Sequence, residues 1–253
     1  MPPRAESLDA LPGLGVSARR RLRRAGLRTS RDLRALARQV GWGALPVPSS
    51  TRAYLRWRPR RSLSRWEAKE AAKSLKKSVR LLVGKRAISG VRSEAIGSVR
   101  RKKARTKDVD LLVFVPRLTT RVRSFELALA GKKNEIKEVY ATGGRRISAI
   151  VQVTIPRAPP RRARRGPAGT RTLRIRTDFF FAEPSERPFA LLHFTGPWRY
   201  NVRLRAHAQS RGLKLNQYGI WKGSRNIGKG LRSERAVVAA VGASYYEPAD
   251  RIG

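Results

Sequence analysis

Residues 97–110 read Gly-Ser-Val-Arg-Arg-Lys-Lys-Ala-Arg-Thr-Lys-Asp-Val-Asp and pass straight into the apolar segment Leu111-Leu112-Val113-Phe114-Val115. Asp108 and Asp110 stand two apart at the start of a strand, and strand side chains alternate between faces. Both carboxylates therefore project from one face, where a hard cation such as Mg²⁺ can take oxygens from each. Upstream, Gly97 and Ser98 offer backbone N–H groups and a hydroxyl for phosphate oxygens, with Arg100 and Arg101 beside them. The stretch reads as a phosphate-handling turn followed by a metal-handling strand.

Composition sets limits around it. A chain of 253 residues, 40% apolar, can build one large domain or two modest ones with a genuine core. Lys and Arg number 58 against 17 Asp and Glu, a formal charge of +41. A neutral small-molecule enzyme does not need that excess, and a polyanion is the obvious partner. No apolar run approaches the roughly 18 residues of a spanning helix, and Met-Pro-Pro-Arg-Ala-Glu lacks a signal peptide's apolar core, so nucleic acid is favoured over a membrane. The absence of cysteine excludes disulfides and thiolate metal sites and fits a reducing compartment. His193 and His207 alone cannot make a His-rich site, so any metal is held by carboxylates, which favours Mg²⁺ or Mn²⁺ over zinc.

Near the N-terminus, Leu-Pro-Gly-Leu-Gly-Val-Ser-Ala-Arg-Arg-Arg-Leu (11–22) places Gly13 and Gly15 around an apolar residue between two short helical patterns. Leu22, Leu27, Leu33 and Leu36 can close a small core, and Thr29 or Ser30 is a helix N-cap with Asp32 in the first turn. This resembles a helix-hairpin-helix, whose glycine turn lets backbone amides approach a DNA phosphate, with Arg19 close by. An ordinary helix pair with a Gly C-cap is the alternative. Residues 41–62, with Pro46, Pro48 and Pro59, read as a connection holding at most a short helix. Ser64 then caps an amphipathic helix to about Leu82, with Glu67 three residues on and Ala68, Ala71, Leu75, Val79 and Leu82 on its apolar face. Its lysines, Lys69, Lys73, Lys76 and Lys77, with Arg80, read as a solvated face or as phosphate contacts.

Strands are expected at 109–115 and 146–155, with a helix at Arg123–Leu129 and a further strand at Glu135–Val139 between them. Residues 156–170 form a basic low-complexity loop, read either as a surface insertion or as a sequence-independent clamp on nucleic acid. In the strand 172–181, period two puts Arg174, Arg176 and Asp178 on one face and Leu173, Ile175, Phe179 and Phe181 on the other. Asp178 can complete a metal site with Asp108 and Asp110.

Taken in order, Gly97-Ser98, Asp108-Val109-Asp110, Asp178, Leu192-His193-Phe194-Thr195-Gly196, Asn201, Arg205 and Leu215-Asn216-Gln217-Tyr218-Gly219 resemble the polymerase core of family X DNA polymerases. Over 190–220 the likeness is to the minimal polymerase X of large DNA viruses, and Ser233-Glu234 and Tyr246–Arg251 extend it. The resemblance implies an α+β fold: a nucleotidyltransferase-type mixed sheet (palm, 84–188), a helical helix-hairpin-helix lobe (1–83) and a C-terminal α/β lobe (189–253). It implies that Asp108, Asp110 and Asp178 bind two Mg²⁺ ions, Mn²⁺ being possible, and that Asp178 helps activate a primer 3′-hydroxyl. Ser98, Arg101 and Arg65 would hold the triphosphate, with Lys107 supplementing them where many members carry glycine. His193, Phe194, Thr195 and Gly196 would line the sugar pocket, with His193 replacing the commoner tyrosine. Asn201 and Arg205 would lie against the nascent base pair, and Asn216, Gln217 and Tyr218 near the template. Arg176 would tune Asp178, and Gly13, Gly15, Arg19 and Arg176 would serve DNA binding.

The function so implied is template-directed filling of short gaps, with deoxynucleoside triphosphates and gapped or nicked DNA as partners and a monomer as the working unit. An intracellular location follows, at a viral replication site or in a virion if the protein is viral, in a nucleus otherwise. With so few residues ahead of the first glycine turn, no deoxyribose-phosphate lyase activity of the family's type is expected. Two alternatives stay in view: a nucleotidyltransferase adding untemplated or RNA ends, and a non-catalytic basic packaging protein.

Overall fold

The structure, a computed structural model, describes residues 5–57, 62–84, 90–118, 136–157 and 169–252. The helix foreseen at 123–129, residues 87–89 and most of the loop 156–170 lie outside these.

Five strands form the central sheet: β2 (Arg92–Ala95), β4 (Leu111–Phe114), β5 (Ile136–Gly143), β6 (Arg146–Pro156) and β7 (Thr170–Ala182), in the order β2-β4-β7-β6-β5. Only β4 and β7 run parallel, in a register that sets Leu111 beside Phe179 and Asp108 beside Arg176. A minimal two-residue pair, β1 (Leu63–Ser64) with β3 (Arg105–Thr106), brackets the approach to the acids.

The alternation of β4, β6 and β7 sorts their side chains onto two differently used faces. Leu111, Val113, Ile147, Ala149, Val151, Val153, Ile175, Phe179 and Phe181 bury one face under α4 (Arg65–Gly84), which contributes Ala68, Ala71, Ala72, Leu75 and Val79. Each large side chain buried there contributes about 1.5–3 kcal/mol. Ser64 and Glu67 make the expected reciprocal cap, with Glu67 N donating to Ser64 Oγ at 3.3 Å and Ser64 N to Glu67 Oε2 at 2.8 Å. By packing α4 belongs with the sheet, although the sequence division groups it with the residues before 84.

The opposite face is covered at two separate places. On one side sits a helical lobe of α1 (Val16–Arg24), α2 (Ser30–Val40) and α3 (Ser49–Trp57), whose core of Leu8, Leu14, Leu22, Leu33, Leu45, Tyr54 and Leu55 continues into Tyr140 and Ile150 of the sheet. The Thr29–Asp32 capping box starts α2 as expected. The connection 41–62 holds one short helix, as expected: Ser49-Ser50-Thr51 opens the nine-residue α3. Thr51 Oγ1 donates to Pro12 O at 2.8 Å, tying that helix to the glycine turn.

On the other side α6 (Arg187–Thr195) lays Ala190 and Leu191 on Ile96, Leu112, Phe114 and Ala182. It leads into α7 (Trp198–Ser210), the three-stranded sheet β8 (Lys214–Asn216), β9 (Gly219–Lys222) and β10 (Arg225–Asn226), and α8 (Glu234–Ala240). Phe189, Leu192, Leu204, Ile220, Val237 and Val241 form the core of this lobe. The sheet surface between the two covered places carries the acids.

Candidate active site

The parallel β4–β7 register brings the second and third carboxylates of the predicted triad, Asp110 and Asp178, together across 68 residues of sequence. Asp178 N donates to Asp110 Oδ1 at 3.2 Å, and Val109 N donates to Arg176 O at 3.0 Å. Asp108, Asp110 and Asp178 share the sheet face expected from period two, and Thr106 Oγ1 donates to Asp108 O at 2.9 Å. Burial, then the charges of Asp108 and Asp178, push Asp110 up to about 8. Gly97 closes over this acid with φ +57, and a Cβ there would lie 3.2 Å from Asp110 Oδ2. Glycine is required on both counts.

Among the described residues no three His, Cys, Asp or Glu converge as a ready metal cage. Two of the three acids are instead paired with arginines. Arg176 Nη2 is ion-paired with Asp108, and Arg146 Nη2 lies 3.0 Å from Asp178 Oδ2. The donor set nevertheless suits a hard divalent cation: all carboxylate oxygen, with Asp178 Oδ1 buried and unpartnered, and with like charges raising Asp110. Arg176 was expected to tune Asp178; it pairs with Asp108 instead, because the parallel register puts residues 176 and 108 side by side. Arg146 takes the place beside Asp178, a role its position at the head of a strand pattern did not reveal.

The Gly97-Ser98 turn forms the four-residue helix α5 (Gly97–Arg100). Arg101 Nη2 donates to Ser98 Oγ at 3.3 Å, and its other terminal nitrogen donates to Thr195 O. Arg100 Nη1 donates to Thr195 Oγ1 at 2.6 Å and to Glu234 Oε1 at 2.9 Å. Arg251 Nη2 donates to the same carboxylate at 3.0 Å from a fully buried position, its guanidinium 5.2 Å from the Tyr200 ring. Burial alone would depress Arg100; its bonds and charge interaction with Glu234 more than offset that and raise it. Glu234 and Arg251 lay within the sequence resemblance but carried no assigned role. The available signal was an acid in an acid-poor chain, at the head of an apolar helix.

The 193–205 segment assembles beside this turn. Asn201 Nδ2 donates to His193 O at 2.6 Å, and an Arg205 guanidinium N–H donates to His193 Nδ1. Burial, then the Arg205 charge, hold His193 down at about 4, so it is neutral at physiological pH. Phe194 stacks on Phe180 with centroids 4.3 Å apart, and Gly196 passes beneath Arg101 at φ +64. Trp198, at the start of α7, is 75% exposed.

Other candidate residues stand elsewhere. Arg65 and Lys107 are exposed, with no side-chain partner among the described residues. Asn216 Oδ1 accepts from Tyr218 N at 2.9 Å and Gly219 N at 3.1 Å, a turn-forming role, and Tyr218 lies under Arg145 at 4.8 Å. Gln217 is half-buried beside them. Gly13 packs against α3, where a Cβ would meet Ser50 Oγ at 2.2 Å; Gly15 caps α1; Arg19 is ion-paired with Asp9 at 3.0 Å.

A mixed sheet presenting three carboxylates beneath a Gly-Ser turn, flanked by a helical lobe and an α/β lobe, defines a nucleotidyltransferase-type polymerase. Comparison with known proteins agrees. Residues 190–252 match the family model described as DNA polymerase beta thumb. The chain is 29% identical over 158 residues to repair DNA polymerase X of African swine fever virus, covering 62% of this chain and 80% of the viral one. It is 26% identical to the DNA polymerase/3′-5′ exonuclease of Bacillus subtilis over 60% of this chain and 23% of that protein. A ternary primer–template complex of Leishmania infantum polymerase beta superimposes with TM-score 0.76 at 22% identity, covering 98% of this chain and 97% of the other. The chain resembles the family X DNA polymerases and, among them, the viral repair polymerase X.

Proposed function

We propose that this polymerase fills short gaps in duplex DNA, adding templated deoxynucleotides to a primer 3′-hydroxyl. The observation that carries the reading is the parallel β4–β7 register, which sets Asp178 beside Asp110 directly under the Gly97 turn. Asp108, Asp110 and Asp178 would hold two divalent ions, Mg²⁺ by the oxygen-only donor set, and these would supply charge for the attacking hydroxyl and the departing phosphates. The primer oxygen forms a bond to the α-phosphorus as the bond to the bridging oxygen of the β-phosphate breaks, and pyrophosphate leaves with that electron pair. Ser98 and Arg101 orient the triphosphate, and the neutral His193, held by Arg205, flanks the sugar and base with Asn201. Arg176 and Arg146 pair with Asp108 and Asp178 in the structure, and would have to release these carboxylates for ions to be held there.

The Leishmania neighbours include a ternary gap complex, with TM-score 0.75, which supports gapped DNA as the substrate. Polymerase X of the virus is a repair enzyme by name, which supports a role in DNA repair inside an infected or dividing cell. A local 33% identity over 78 residues to DNA nucleotidylexotransferase of Eulemur macaco makes untemplated addition the activity to separate. Incubating the protein with Mg²⁺, each of the four nucleotides and either a gapped duplex or a single strand does so. Extension only by the complementary nucleotide in the gap is expected; equal addition of all four to the single strand would overturn the templated reading.

A further inference from the structure

We propose that the solvent face of α4 is a second nucleic-acid-binding surface, on the opposite side of the sheet from the acids, so that one molecule holds two DNA segments at once. Between residues 65 and 80 every exposed position of this helix is basic: Arg65, Lys69, Lys73, Lys76, Lys77 and Arg80. The alternate positions Ala68, Ala71, Ala72, Leu75 and Val79 face the core. At 1.5 Å per residue the stripe is about 22 Å long, comparable with two-thirds of a duplex turn.

An ordinary solvated helix face carries both signs, with acids placed to neutralise bases one turn away. Here Glu67 is buried and paired with Arg171, and Glu70 pairs with Lys73 at 2.7 Å. Among the described residues Lys69, Lys76, Lys77 and Arg80 have no acidic partner. The spacings 69/73, 73/77 and 76/80 place like charges one turn apart, each costing a few tenths of a kcal/mol. Apart from the Glu70–Lys73 pair, no contact among the described residues offsets that cost. A phosphodiester backbone, with one charge per about 1.7 Å of duplex axis, matches the stripe in sign and length.

The geometry also separates the two surfaces. Residues 111, 113, 147, 149, 175 and 179 of the sheet point to α4, while Asp108, Asp110 and Asp178 stand on the other face. A duplex against α4 therefore does not compete with one in the catalytic cleft, and a single chain can bridge two duplexes or grip one molecule at two distant places. The inference does not depend on the polymerase reading, since bridging is read without nucleotide.

The test replaces Lys69, Lys73, Lys76, Lys77 and Arg80 together with Gln, which keeps helix propensity and leaves the catalytic face untouched. Bridging is measured as capture of a free labelled duplex by a bead-bound duplex in the presence of the full chain. Gap filling on a short gapped hairpin and the thermal melt are measured in parallel. The expected result is bridging by the unaltered protein and at least a tenfold loss in the variant, with gap filling within twofold and an unchanged melt. The slope of log affinity against log salt for the second duplex should fall by about 4.5, from five phosphate contacts. Unchanged bridging in the variant would overturn the proposal, as would loss of bridging and gap filling together, which would assign α4 to the substrate cleft. Phosphatidylserine vesicles replace the second duplex in a further arm; α4-dependent vesicle binding without duplex bridging would also overturn it.

Discussion

Replacing Glu234 by Gln should be among the most damaging single changes in the C-terminal lobe. The carboxylate is 7% exposed and serves two cations: Arg100 from the Gly97 turn and Arg251, whose side chain is fully buried. Gln preserves the shape and one acceptor oxygen but leaves two guanidiniums facing each other without a counter-charge. Removing one partner of a buried ion pair costs about 3–5 kcal/mol. With one acceptor retained, we expect about 3 kcal/mol, a substantial fraction of the 5–15 kcal/mol typical of a domain. At a urea m-value of about 2–3 kcal/mol/M the denaturation midpoint falls by roughly 1–1.5 M. Arg251→Met should cost less, because Glu234 keeps Arg100. The double variant should be more stable than the sum of the singles requires, since it removes the charge that the first change strands. Because Arg100 anchors the triphosphate turn, Glu234→Gln should also raise the nucleotide KM more than it weakens DNA binding. A midpoint within 0.3 M of the unaltered protein, with additive singles, would refute the reasoning.

Further outcomes follow from individual contacts. Gly13→Ala meets Ser50 Oγ at 2.2 Å from a backbone with φ +75, so a loss of about 1–3 kcal/mol is expected, and Ser50→Gly should restore part of it in a denaturation series. Gly97→Ala should lower the extension rate at least tenfold, because its Cβ crowds Asp110; a rate unchanged under saturating metal and nucleotide would contradict that placement. His193 is held down at about 4 while its unfolded value is near 6.5, so the unfolded chain takes up the proton first as pH falls. Stability from this group is therefore complete above pH 6.5 and declines towards pH 4, by up to roughly 2 kcal/mol after allowance for solvent screening. With only two histidines in the chain, an NMR titration and its His207→Gln control read this directly; a His193 midpoint near 6.5 would contradict it.

Much of this arrangement was legible in the residues. Two Asp at strand spacing, an alternating strand carrying a third, and a Gly-Ser turn are local patterns, and period two assigned the sheet faces correctly for Ile175, Phe179 and Phe181. Capping at Thr29 and Ser64 is equally local. The relations that no local pattern encodes were the ones misread. Arg176 pairs with Asp108 rather than the expected Asp178, and Arg146 stands beside Asp178, because strand register, set by long-range pairing, decides which cation faces which acid. The connection 41–62 holds the short helix allowed for it, which starts at Ser49-Ser50-Thr51 where Thr51 donates to Pro12 O. The turn role of Asn216, whose carboxamide oxygen accepts from Tyr218 N and Gly219 N, is likewise visible only in the structure.

The most direct test of the central claim compares Asp110→Asn with the unaltered protein on a single-nucleotide-gapped duplex in Mg²⁺, measuring extension and DNA affinity on the same samples. Loss of extension by at least a thousandfold with affinity within threefold is expected, because the role proposed for Asp110 is to hold metal rather than DNA. Extension at the unaltered rate would contradict the assignment of this carboxylate site as the catalytic centre.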